Sequence, residues 1–469
     1  MKTLILNCGS SSLKYQLINS DNDEVLVKGL VEKIGTSKGV ITYKPAGSSE
    51  YRDTFEIADH GVALEKVLQL LTDTNRGIIK DISQIDAVGH RVVHGGETYS
   101  GSVHIDNDVI KKIEECIVFA PLHNPPNLMG IRACAALMPG IDQVAVFDTA
   151  FHQNMPEYAF LYALPYSMYE KHGVRRYGFH GTSHAYVSKK AADILGRDYD
   201  KDFKVIVCHL GNGASVSAIK NGISIDTSMG FTPLEGLVMG TRCGDIDPAI
   251  IPYLMEKEDL SSEEMDTILN KQSGLKGISR TTNDMREVMD EAASGSRLHQ
   301  LAFDVFCYHI KKYIGAYMAV LNGADAIVFT AGIGENSAGV REAVLKDLDG
   351  LGITFDTQKN DTAQDIIGDG KVKVMVVATD EELAIAHETK QVLSSKWNEI
   401  QKQRELQSIQ EQLSAITGPV RTQIVLLWSQ NKKLSKLELQ ILISKKIDFD
   451  LSSDVFDVLL SEMGIKCAN

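Results

Sequence analysis

Apolar and polar positions alternate in two ways along the first half of the chain, and together they predict an α/β arrangement. Residues 1–45 show the alternation of consecutive strands, with turns expected at Gly9, Gly29 and Gly39. Further along, short apolar runs alternate with longer amphipathic stretches, which is the order found in α/β domains. The predicted elements are a helix over 60–75, a strand over 85–94, helices over 107–119 and 127–137, and a strand over 144–147 that ends at Asp148.

A similar plan returns in the second half. The spacing over residues 183–195 predicts a helix with Ser183 as its N-cap, and two apolar runs flank a small-residue loop at 211–216. The remaining predicted elements are helices over 284–293 and 297–321, strands over 326–329 and 373–378, and a helix over 381–393. The recurrence of strands and helices in this order predicts a second α/β half.

The composition changes after about residue 395. Residues 397–415 are rich in Gln and Glu, residues 420–446 are amphipathic, and both tryptophans, Trp397 and Trp428, lie in this tail. Amphipathic spacing of this kind allows a helical hairpin. Three interpretations stay open: a neutral extension, a packing or oligomer-forming appendage, and a partner-binding module. We expect residues 395–469 to form a small all-α extension.

Composition narrows the class of protein. The 469 residues are 43% apolar and 23% charged, as in ordinary globular proteins. The net charge of −14 argues against broad nucleic-acid binding, so an anion site needs a local group of basic side chains. No apolar run reaches the roughly 18 residues of a membrane helix, and no secretory signal is visible, which predicts a cytoplasmic location. The seven cysteines form no CxxC pair, so we expect reduced, mostly buried thiols.

Two loops share a design that suits phosphate. Residues 7–14 (Asn-Cys-Gly-Ser-Ser-Ser-Leu-Lys) and residues 211–216 (Gly-Asn-Gly-Ala-Ser-Val) both join two apolar runs. Small residues let backbone N–H groups approach an anion, and hydroxyls add donors. A plain hairpin turn is the alternative, and no Walker A pattern is present. The recurrence suggests two related halves that close on one nucleotide.

A third small-residue loop, Gly332–Asn336, follows a predicted buried strand. It does not complete the GxGxxG pattern, because Ser337 occupies the last position. Many strand-to-helix turns have this composition, so the loop is weak support when taken alone. A nucleotide base or ribose packed on its backbone is the functional interpretation.

Two arginines occupy segments rich in glycine. Arg91 lies just ahead of a His-Gly-Gly sequence, and Arg242 lies within the segment Met239–Asp245. A single arginine is ordinarily a solvated or ion-paired surface residue. Two arginines in such segments fit convergent anion binding better, because guanidinium groups bind carboxylate and phosphate through paired hydrogen bonds.

Histidines form a second candidate group. His180 and His184 have the i, i+4 spacing of a zinc-binding pair, but no HExxH glutamate accompanies them. Gly181 makes a continuous helix through both residues unexpected. Metal ligand, hydrogen-bonded structural residue and active-site donor all stay open for His180, whereas His184 is interpreted as structural.

Two acids lie near predicted strand ends. Asp148 ends a strand, and Glu381 opens a helix just after one. Carboxyl ends of strands are where α/β folds place magnesium ligands and bases. Helix capping is the alternative, above all for Glu381 within Thr379–Glu382. Spacing alone does not decide between them.

In order along the chain, these motifs resemble those of the acetate kinase family, from Met1 to about Leu393. The most specific segments are Leu6–Lys14 and Met229–Leu237, which precedes Arg242. The resemblance implies two duplicated actin-like, ribonuclease H-like α/β domains with the nucleotide in a central cleft. The implied boundaries are 1–150 with a returning helix at 383–394 for the N-terminal domain, 151–382 for the C-terminal domain, and an unmatched extension over 395–469.

The resemblance also implies the reaction and its residues. ATP and acetate would react reversibly to give ADP and acetyl phosphate, with Mg²⁺ or Mn²⁺ as cofactor, in a homodimer. The implied catalytic residues are Arg91, Asp148, His180 and Arg242, and the implied metal-site residues are Asn7 and Glu381. The implied acetate-binding residues are Arg91, Val93, Leu122, His123, Phe179 and Pro233. The implied nucleotide-binding residues are Ser12, Lys14, His209, Leu210, Gly211, Asn212, Gly213, Asp284, Met285, Arg286, Gly332, Ile333, Gly334, Glu335 and Asn336.

A carboxylate acceptor is already nucleophilic, so we expect direct in-line transfer, with Asp148 orienting the reactants or organising metal-bound water. A phosphorylated Glu381 intermediate is the alternative mechanism. Val93 is expected to narrow the acceptor pocket toward acetate, with propionate or another short-chain carboxylate as the alternative substrate. An actin- or Hsp70-like ATPase is the rival of a different class. The two arginines disfavour it, because water activation needs no carboxylate site.

Overall fold

The computed structural model describes residues 1–396, 418–431, 436, 439–440, 442–443, 456 and 459–461. Two compact units divide the chain, Met1–Val392 and Leu393–Asn469. The first unit contains two mixed β-sheets covered by helices. Residues 397–415, predicted as a Gln- and Glu-rich segment, lie outside the described part of the chain.

The first sheet is built from eight strands: β1 (Lys2–Cys8), β2 (Ser12–Asn19), β3 (Glu24–Glu32), β4 (Thr36–Pro45), β5 (Tyr51–Ile57), β6 (Ala87–Val92), β7 (Val103–His104) and β8 (Asp142–Phe147). Their order is β5-β4-β3-β2-β1-β6-β8-β7. Strands β1 to β5 pair antiparallel in succession, whereas β1, β6 and β8 run parallel. The parallel strands therefore end at one edge of the sheet.

The second sheet is built from six strands: β9 (Lys204–Leu210), β10 (Ala214–Lys220), β11 (Ile223–Thr227), β12 (Ala326–Thr330), β13 (Ile366–Asp369) and β14 (Lys373–Val376). Their order is β11-β10-β9-β12-β14-β13. Strands β9, β10 and β11 are antiparallel neighbours, and β9, β12 and β14 run parallel.

The two sheets repeat one topology. The order β3-β2-β1-β6-β8-β7 matches β11-β10-β9-β12-β14-β13, strand for strand and with the same directions, and β4 and β5 extend only the first sheet. The predicted α/β class and its duplication are confirmed. The predicted domain boundaries at residues 150 and 382 stay predictions.

Helices of the first unit cover both sheets, and the helix given last below belongs to the second unit. Their bounds are α1 (His60–Leu71), α2 (Asn107–Glu115), α3 (Asn124–Leu137), α4 (Glu157–Phe160), α5 (Tyr166–His172), α6 (Gly181–Leu195), α7 (Ile250–Lys257), α8 (Ser262–Thr267), α9 (Gly274–Ser279), α10 (Met285–Ala293), α11 (Arg297–Val320), α12 (Ala331–Asn336), α13 (Ala338–Leu345), α14 (Thr357–Asp361), α15 (381–396) and α16 (Gly418–Gln430). Helix α1 packs with α3 over the first sheet, and α11 packs on strands β9 and β10 of the second.

Two predicted turns are wrong. Gly29 lies inside β3 and Gly39 inside β4, while only Gly9 lies at a hairpin turn. A Cβ at Gly29 would meet the Tyr15 hydroxyl at 2.3 Å and the Thr42 carbonyl at 2.2 Å. This glycine therefore serves close packing of a tyrosine across the sheet, which a turn interpretation overlooks.

Two helix starts also differ from prediction. Helix α6 begins at Gly181 after His180 in the left-handed region, at φ 57°, so Ser183 is not the N-cap. The Ser183 hydroxyl instead bonds to His209 Nδ1 and Thr379 Oγ1, both at 2.8 Å. The segment Gly332–Asn336 is itself part of the short helix α12 and not a loop before a helix.

The second compact unit contains helix α16, which begins at Gly418 and ends at Gln430. The described residues of this unit include several buried apolar side chains, namely Ile424, Leu439, Ile443, Phe456, Leu459 and Leu460. The described helix covers only the first part of the stretch predicted as amphipathic. In the described parts of both units, no helix is long and apolar enough to span a membrane.

Candidate active site

The carboxyl ends of the parallel strands in the first sheet gather an arginine and an acid. Arg91 lies in β6 and Asp148 directly follows β8, its neighbour in the sheet. Arg91 Nε donates to Asp148 Oδ1 at 2.9 Å and Nη2 to Oδ2 at 2.6 Å, a bidentate pair. Its third nitrogen, Nη1, lies 3.4 Å from Asn7 Oδ1 on β1. Strand order thus brings together three residues predicted for the site.

Further charges surround this pair. Glu381 opens α15, and its pKa is raised by burial and by the negative charges of Asp148 and Glu382. Burial opposes the charge of Arg91, but the neighbouring Asp148 outweighs it and the pKa of Arg91 is raised. Lys14 forms an ion pair with Glu382. The predicted phosphate-binding lysine therefore already has a carboxylate partner.

Arg242 has a different environment. Its Nη1 donates to the Pro233 carbonyl at 3.1 Å, and burial lowers its pKa. Within the part of the chain that the structure describes, no carboxylate pairs with it. The surrounding loop is fixed by backbone bonds, including Gly240 N to Asn212 O at 3.0 Å. Arg242 is thus a positioned cation whose charge is uncompensated by the protein.

His180 lies beside Arg242 at the hairpin that joins β9 to β10, which we call the second hairpin. A Cβ placed on Gly213 would lie 3.5 Å from His180 Nε2 and 3.6 Å from Arg242 Nη1, so this glycine separates the two donors with little bulk. The His180 ring stacks on His209 at 4.2 Å between centroids. Burial, followed by the neighbouring imidazoles His209 and His184, holds the pKa of His180 well below its usual range. The imidazole is therefore neutral.

His123 precedes α3 and is coupled to both arginines. Its pKa is lowered by burial first and then by the charges of Arg242 and Arg91. Side chains from both halves of the first unit therefore converge here: Asn7, Arg91, His123 and Asp148 from the first, and His180 and Arg242 from the second.

The predicted methyl pocket is only partly enclosed. Val93 and Phe179 are buried, at 6% and 1% exposure, in one apolar cluster. The Val93 amide donates to Asn127 Oδ1 at 3.1 Å, which fixes the backbone beside Arg91. Pro233 adjoins Arg242 through its carbonyl, whereas Leu122 is 56% exposed. Val93 and Phe179 are thus the members best placed to limit acceptor size.

A cavity of about 730 Å³ lies at the second hairpin. The predicted nucleotide-binding residues that line it are Gly211, Asn212, Asp284, Met285, Arg286, Gly332, Ile333 and Asn336. The predicted residues outside its lining are Ser12, Lys14, His209, Leu210, Gly213, Gly334 and Glu335. The cavity lies between α10 and α12 and brings together predicted residues that are distant in sequence, and their role in nucleotide binding stays a prediction.

The Glu335 carboxylate forms hydrogen bonds with the protein backbone. Its Oε1 accepts hydrogen bonds from Ala331 N at 2.9 Å and Thr379 N at 3.1 Å. Arg341, which sequence reasoning missed, donates to the carbonyls of Gly334 at 2.8 Å and Glu335 at 2.9 Å. The side chains of Glu335 and Arg341 stabilise the backbone of α12 through these hydrogen bonds. No local sequence motif identifies the buried Arg341.

Arg176 is a second residue that the sequence did not reveal. Its Nη1 donates to the carbonyls of Thr227 at 2.9 Å and Met229 at 3.2 Å, and Nη2 donates to Glu235 at 2.7 Å. Tyr162 also donates to Glu235. This network fixes the segment that leads to Arg242. The only sequence signal was the motif Met229–Leu237, which contains the acidic partner but does not identify the arginine.

Few side chains of the described site could serve as metal ligands. Among the described residues, no group of three or more His, Cys, Asp or Glu side chains is placed to hold a metal. Mg²⁺ ordinarily uses one or two carboxylates together with substrate phosphates and water. Asn7, Asp148 and Glu381 supply hard oxygen donors of this kind, so the donor chemistry fits Mg²⁺.

The described cysteines are mostly buried, as predicted, and their reduced state stays a prediction. All six described cysteines are free thiols, and five of them are buried, with Cys243 half-buried. Burial raises the pKa of Cys8 to about 12. These thiols behave as packing residues and supply no metal site.

Sequence comparison identifies the family. The model of the acetokinase family matches residues 2–387. The acetate kinase of Methanosarcina thermophila is 55% identical over 400 residues, covering 84% of this chain and 98% of that protein. The acetate kinase of Natranaerobius thermophilus is 56% identical over 397 residues, covering 84% of this chain and 100% of that protein. The extension after the match is outside the family model.

Solved structures agree. The crystal structure of Porphyromonas gingivalis acetate kinase matches with a TM-score of 0.81 and 49% identity, covering 84% of this chain and 99% of that one. A propionate kinase from Francisella tularensis matches with a TM-score of 0.79 and 46% identity, covering 83% and 99%. The chain therefore belongs to the acetokinase family, whose members are kinases that transfer phosphate to a carboxylate.

Proposed function

We propose that this protein transfers the γ-phosphoryl group of ATP to acetate, reversibly and with Mg²⁺. The observation that carries the proposal is Arg242, a partly buried guanidinium without a carboxylate partner among the described residues. It lies beside the neutral His180. A partly desolvated cation of this kind favours an anionic ligand, because a charge removed from water without a partner is costly.

Arg91 and Arg242 are proposed to grip the acetate carboxylate and the transferred phosphoryl group. Phosphoryl transfer depends mainly on positioning and on stabilising charge on the equatorial oxygens. Apart from Nη1, which donates to the Pro233 carbonyl, the Arg242 donors have no oxygen partner among the described residues, and Arg91 is held by Asp148 through two hydrogen bonds. In this pair, Arg242 is available to an incoming anion, and Arg91 is held in place by Asp148.

His180 is proposed to donate a hydrogen bond to the phosphoryl oxygens. Its pKa is held well below the usual range by burial, so it acts as a neutral donor and not as a cation. Donors that are already in place before reaction stabilise developing charge without reorganisation. The charges of both arginines lower the pKa of His123, and we propose that this residue contacts the acceptor from the start of α3.

Asn7, Asp148 and Glu381 are the residues proposed to hold Mg²⁺, Asp148 and Glu381 through their carboxylates. When bound, Mg²⁺ neutralises charge on the nucleotide phosphates. The nucleotide is proposed to lie in the cavity between α10 and α12, with Gly211 and Asn212 nearest its phosphates. Acetate attacks directly in line, because a carboxylate needs no base. A phosphorylated Glu381 is the alternative.

The test is a hydroxamate assay with purified full-length protein, ATP and Mg²⁺, run on acetate, propionate and butyrate. We expect acyl hydroxamate from acetate, less from propionate and least from butyrate. ATP hydrolysis that is independent of acetate and yields no acyl phosphate would overturn the proposal in favour of an ATPase. Omission of Mg²⁺, with Mn²⁺ added back, tests the metal separately.

Propionate as the preferred acceptor is the second candidate, because a propionate kinase is among the similar structures. One methylene in an apolar pocket changes discrimination by only about 1–3 kcal/mol. Val93 and Phe179, both buried, are the proposed determinants. A homodimer and a cytoplasmic location are further proposals. The first is checked by light scattering and the second by cell fractionation.

A further inference from the structure

A chain of hydrogen bonds extends inward from the His180 ring. His180 Nδ1 lies 2.9 Å from Ser215 Oγ, and the same oxygen lies 2.7 Å from His184 Nε2. Ser215 and His184 are completely buried. The serine hydroxyl has one proton, so it donates to one imidazole and accepts from the other. The direction of this chain decides which nitrogen of His180 carries a proton.

His184 selects the direction. Its second nitrogen, Nδ1, is buried and has no hydrogen-bond partner in the described structure. If Nδ1 carried the proton of neutral His184, a buried N–H donor would be left unpaired, which is rarer in proteins than an unpaired acceptor. The proton therefore lies on His184 Nε2, which donates to Ser215. The serine in turn donates to His180 Nδ1.

The nearest alternative partner for His184 is already occupied. The His152 ring lies 5.7 Å from the His184 ring. His152 Nε2 donates to the Phe179 carbonyl at 3.0 Å, and its Nδ1 pairs with the Ser224 hydroxyl at 2.7 Å. Both nitrogens of His152 are therefore satisfied, and this residue offers nothing to His184 Nδ1.

We infer that His184 and Ser215 are positioning residues that fix the tautomer of His180, so that its Nε2 carries the proton. The inference rests on the proposed role of His180 as a donor to the phosphoryl group. The opposite tautomer would leave a lone pair on Nε2, and a lone pair repels an anionic oxygen.

The tautomer itself can be measured. Long-range ¹H–¹⁵N spectra of histidine-labelled full-length protein distinguish a protonated Nε2 from a protonated Nδ1. In the wild-type protein we expect Nε2–H at both His180 and His184, with His180 assigned from the spectrum of His180→Asn. A wild-type His180 that is protonated on Nδ1 overturns the inference without any reference to turnover.

The variant Ser215→Ala tests the consequence. Loss of the hydroxyl should lower kcat by about 10- to 100-fold, the range for partners that orient a functional histidine, with KM for acetate little changed. The matched control is Ser217→Ala, which removes another fully buried hydroxyl of β10, bonded to Thr227 Oγ1 at 2.8 Å. The control should keep its turnover. Equal kcat in the two variants contradicts the inference.

Two further variants separate positioning from general structural damage. His184→Gln keeps an amide donor in place of Nε2–H and should retain more turnover than His184→Leu. In a His180→Ala background, Ser215→Ala should cause no additional loss, because its effect passes through His180. A full additional loss in that background overturns the inference. The hydroxamate assay on the wild type reports on the proposed function separately from these results.

Discussion

The two hairpins that join β1 to β2 and β9 to β10 occupy equivalent places in the two sheets, yet their surroundings differ. Near the first, charges are balanced in pairs, Arg91 with Asp148 and Lys14 with Glu382. Near the second, His180 and His209 are neutral and Arg242 lacks a carboxylate partner in the described structure. Duplicated topology thus supports two different electrostatic environments.

The difference suggests a division of labour between the halves. A balanced set of charges holds its members rigidly, and it contributes oxygen ligands suited to Mg²⁺. A neutral set with one uncompensated cation favours an incoming anion. The strand order determines where side chains meet, but the residue types at those positions determine the chemistry.

The largest expected effect comes from removing either arginine. Arg91→Ala and Arg242→Ala should each lower kcat by about 100-fold or more, since each contact strengthens as charge develops in the transition state. Steady-state kinetics with acetate and ATP measure this, and Arg132→Ala, whose side chain is 55% exposed, is the control for loss of a surface arginine. Near wild-type turnover would remove that arginine from the catalytic set.

The same two variants should differ in stability. Arg91→Ala leaves Asp148 buried without its partner and should lower the free energy of unfolding by about 3 kcal/mol. Arg242→Ala breaks no ion pair and should cost less. Urea unfolding measures both, and the double variant Arg91→Ala with Asp148→Asn should recover part of the loss. Equal destabilisation by the two single variants would contradict the contrast between the hairpins.

Acid should act strongly on the buried histidines. Burial lowers the pKa of His90, His152 and His209 to about 4 each, below the usual value of 6.5. Between pH 6.5 and 4 the unfolded chain binds more protons, so stability present above pH 6.5 is lost as the pH falls. As the pH falls through this window, each histidine lowers the free energy of unfolding by up to about 1.4 kcal/mol per pH unit. Urea unfolding at pH 7, 6 and 5 measures the decline.

Hydrogen exchange sharpens the acid experiment. The second half contains the buried imidazoles His152, His184 and His209 and the partly buried His180, all with a lowered pKa. We therefore expect β9 and β10 to lose protection at a higher pH than β1 and β2. The variant His90→Gln, which keeps a donor for Gln143 at a position where the wild-type bond is 2.8 Å, should reduce the acid sensitivity of the first half. Uniform loss of protection would contradict this order.

A smaller effect is expected at the acceptor pocket. Val93→Ala should raise kcat/KM for propionate relative to acetate by about tenfold, equivalent to roughly 1.4 kcal/mol, because a buried apolar wall is shortened. The control is Val92→Ala, a buried neighbour in β6 whose side chain packs in another apolar cluster. An unchanged acetate-to-propionate ratio in Val93→Ala would exclude Val93 as a determinant.

The smallest effect is expected from the extension. The family model ends at residue 387, and the Methanosarcina thermophila relative is covered over 98% of its own length without the extension. Truncation after Ser395 should therefore leave kcat and KM within about twofold of the full-length values, a change in activation free energy of less than about 0.5 kcal/mol. An insoluble or inactive truncated protein would show that the extension contributes to the folded core.

Much of the candidate site was predictable because its residues belong to short motifs. Asp148 was expected at a strand end, and it follows β8 directly. Gly211, Asn212 and Gly332 were expected near a nucleotide, and they line one cavity. Their roles in binding stay predictions. Ser183 was wrongly predicted as an N-cap, because its hydroxyl has stronger partners in the folded protein.

The sequence by itself determined the α/β class, the duplicated order of elements, the family and most residues of the candidate site. Local patterns suffice for these, because periodicity and short motifs are properties of neighbouring residues. Only the tertiary structure decided that Arg91 pairs with a carboxylate while Arg242 has none among the described residues, that Arg176 and Arg341 hold the neighbouring loops, and that Ser215 links His180 to His184. These facts depend on partners distant in sequence, which burial and strand pairing bring together.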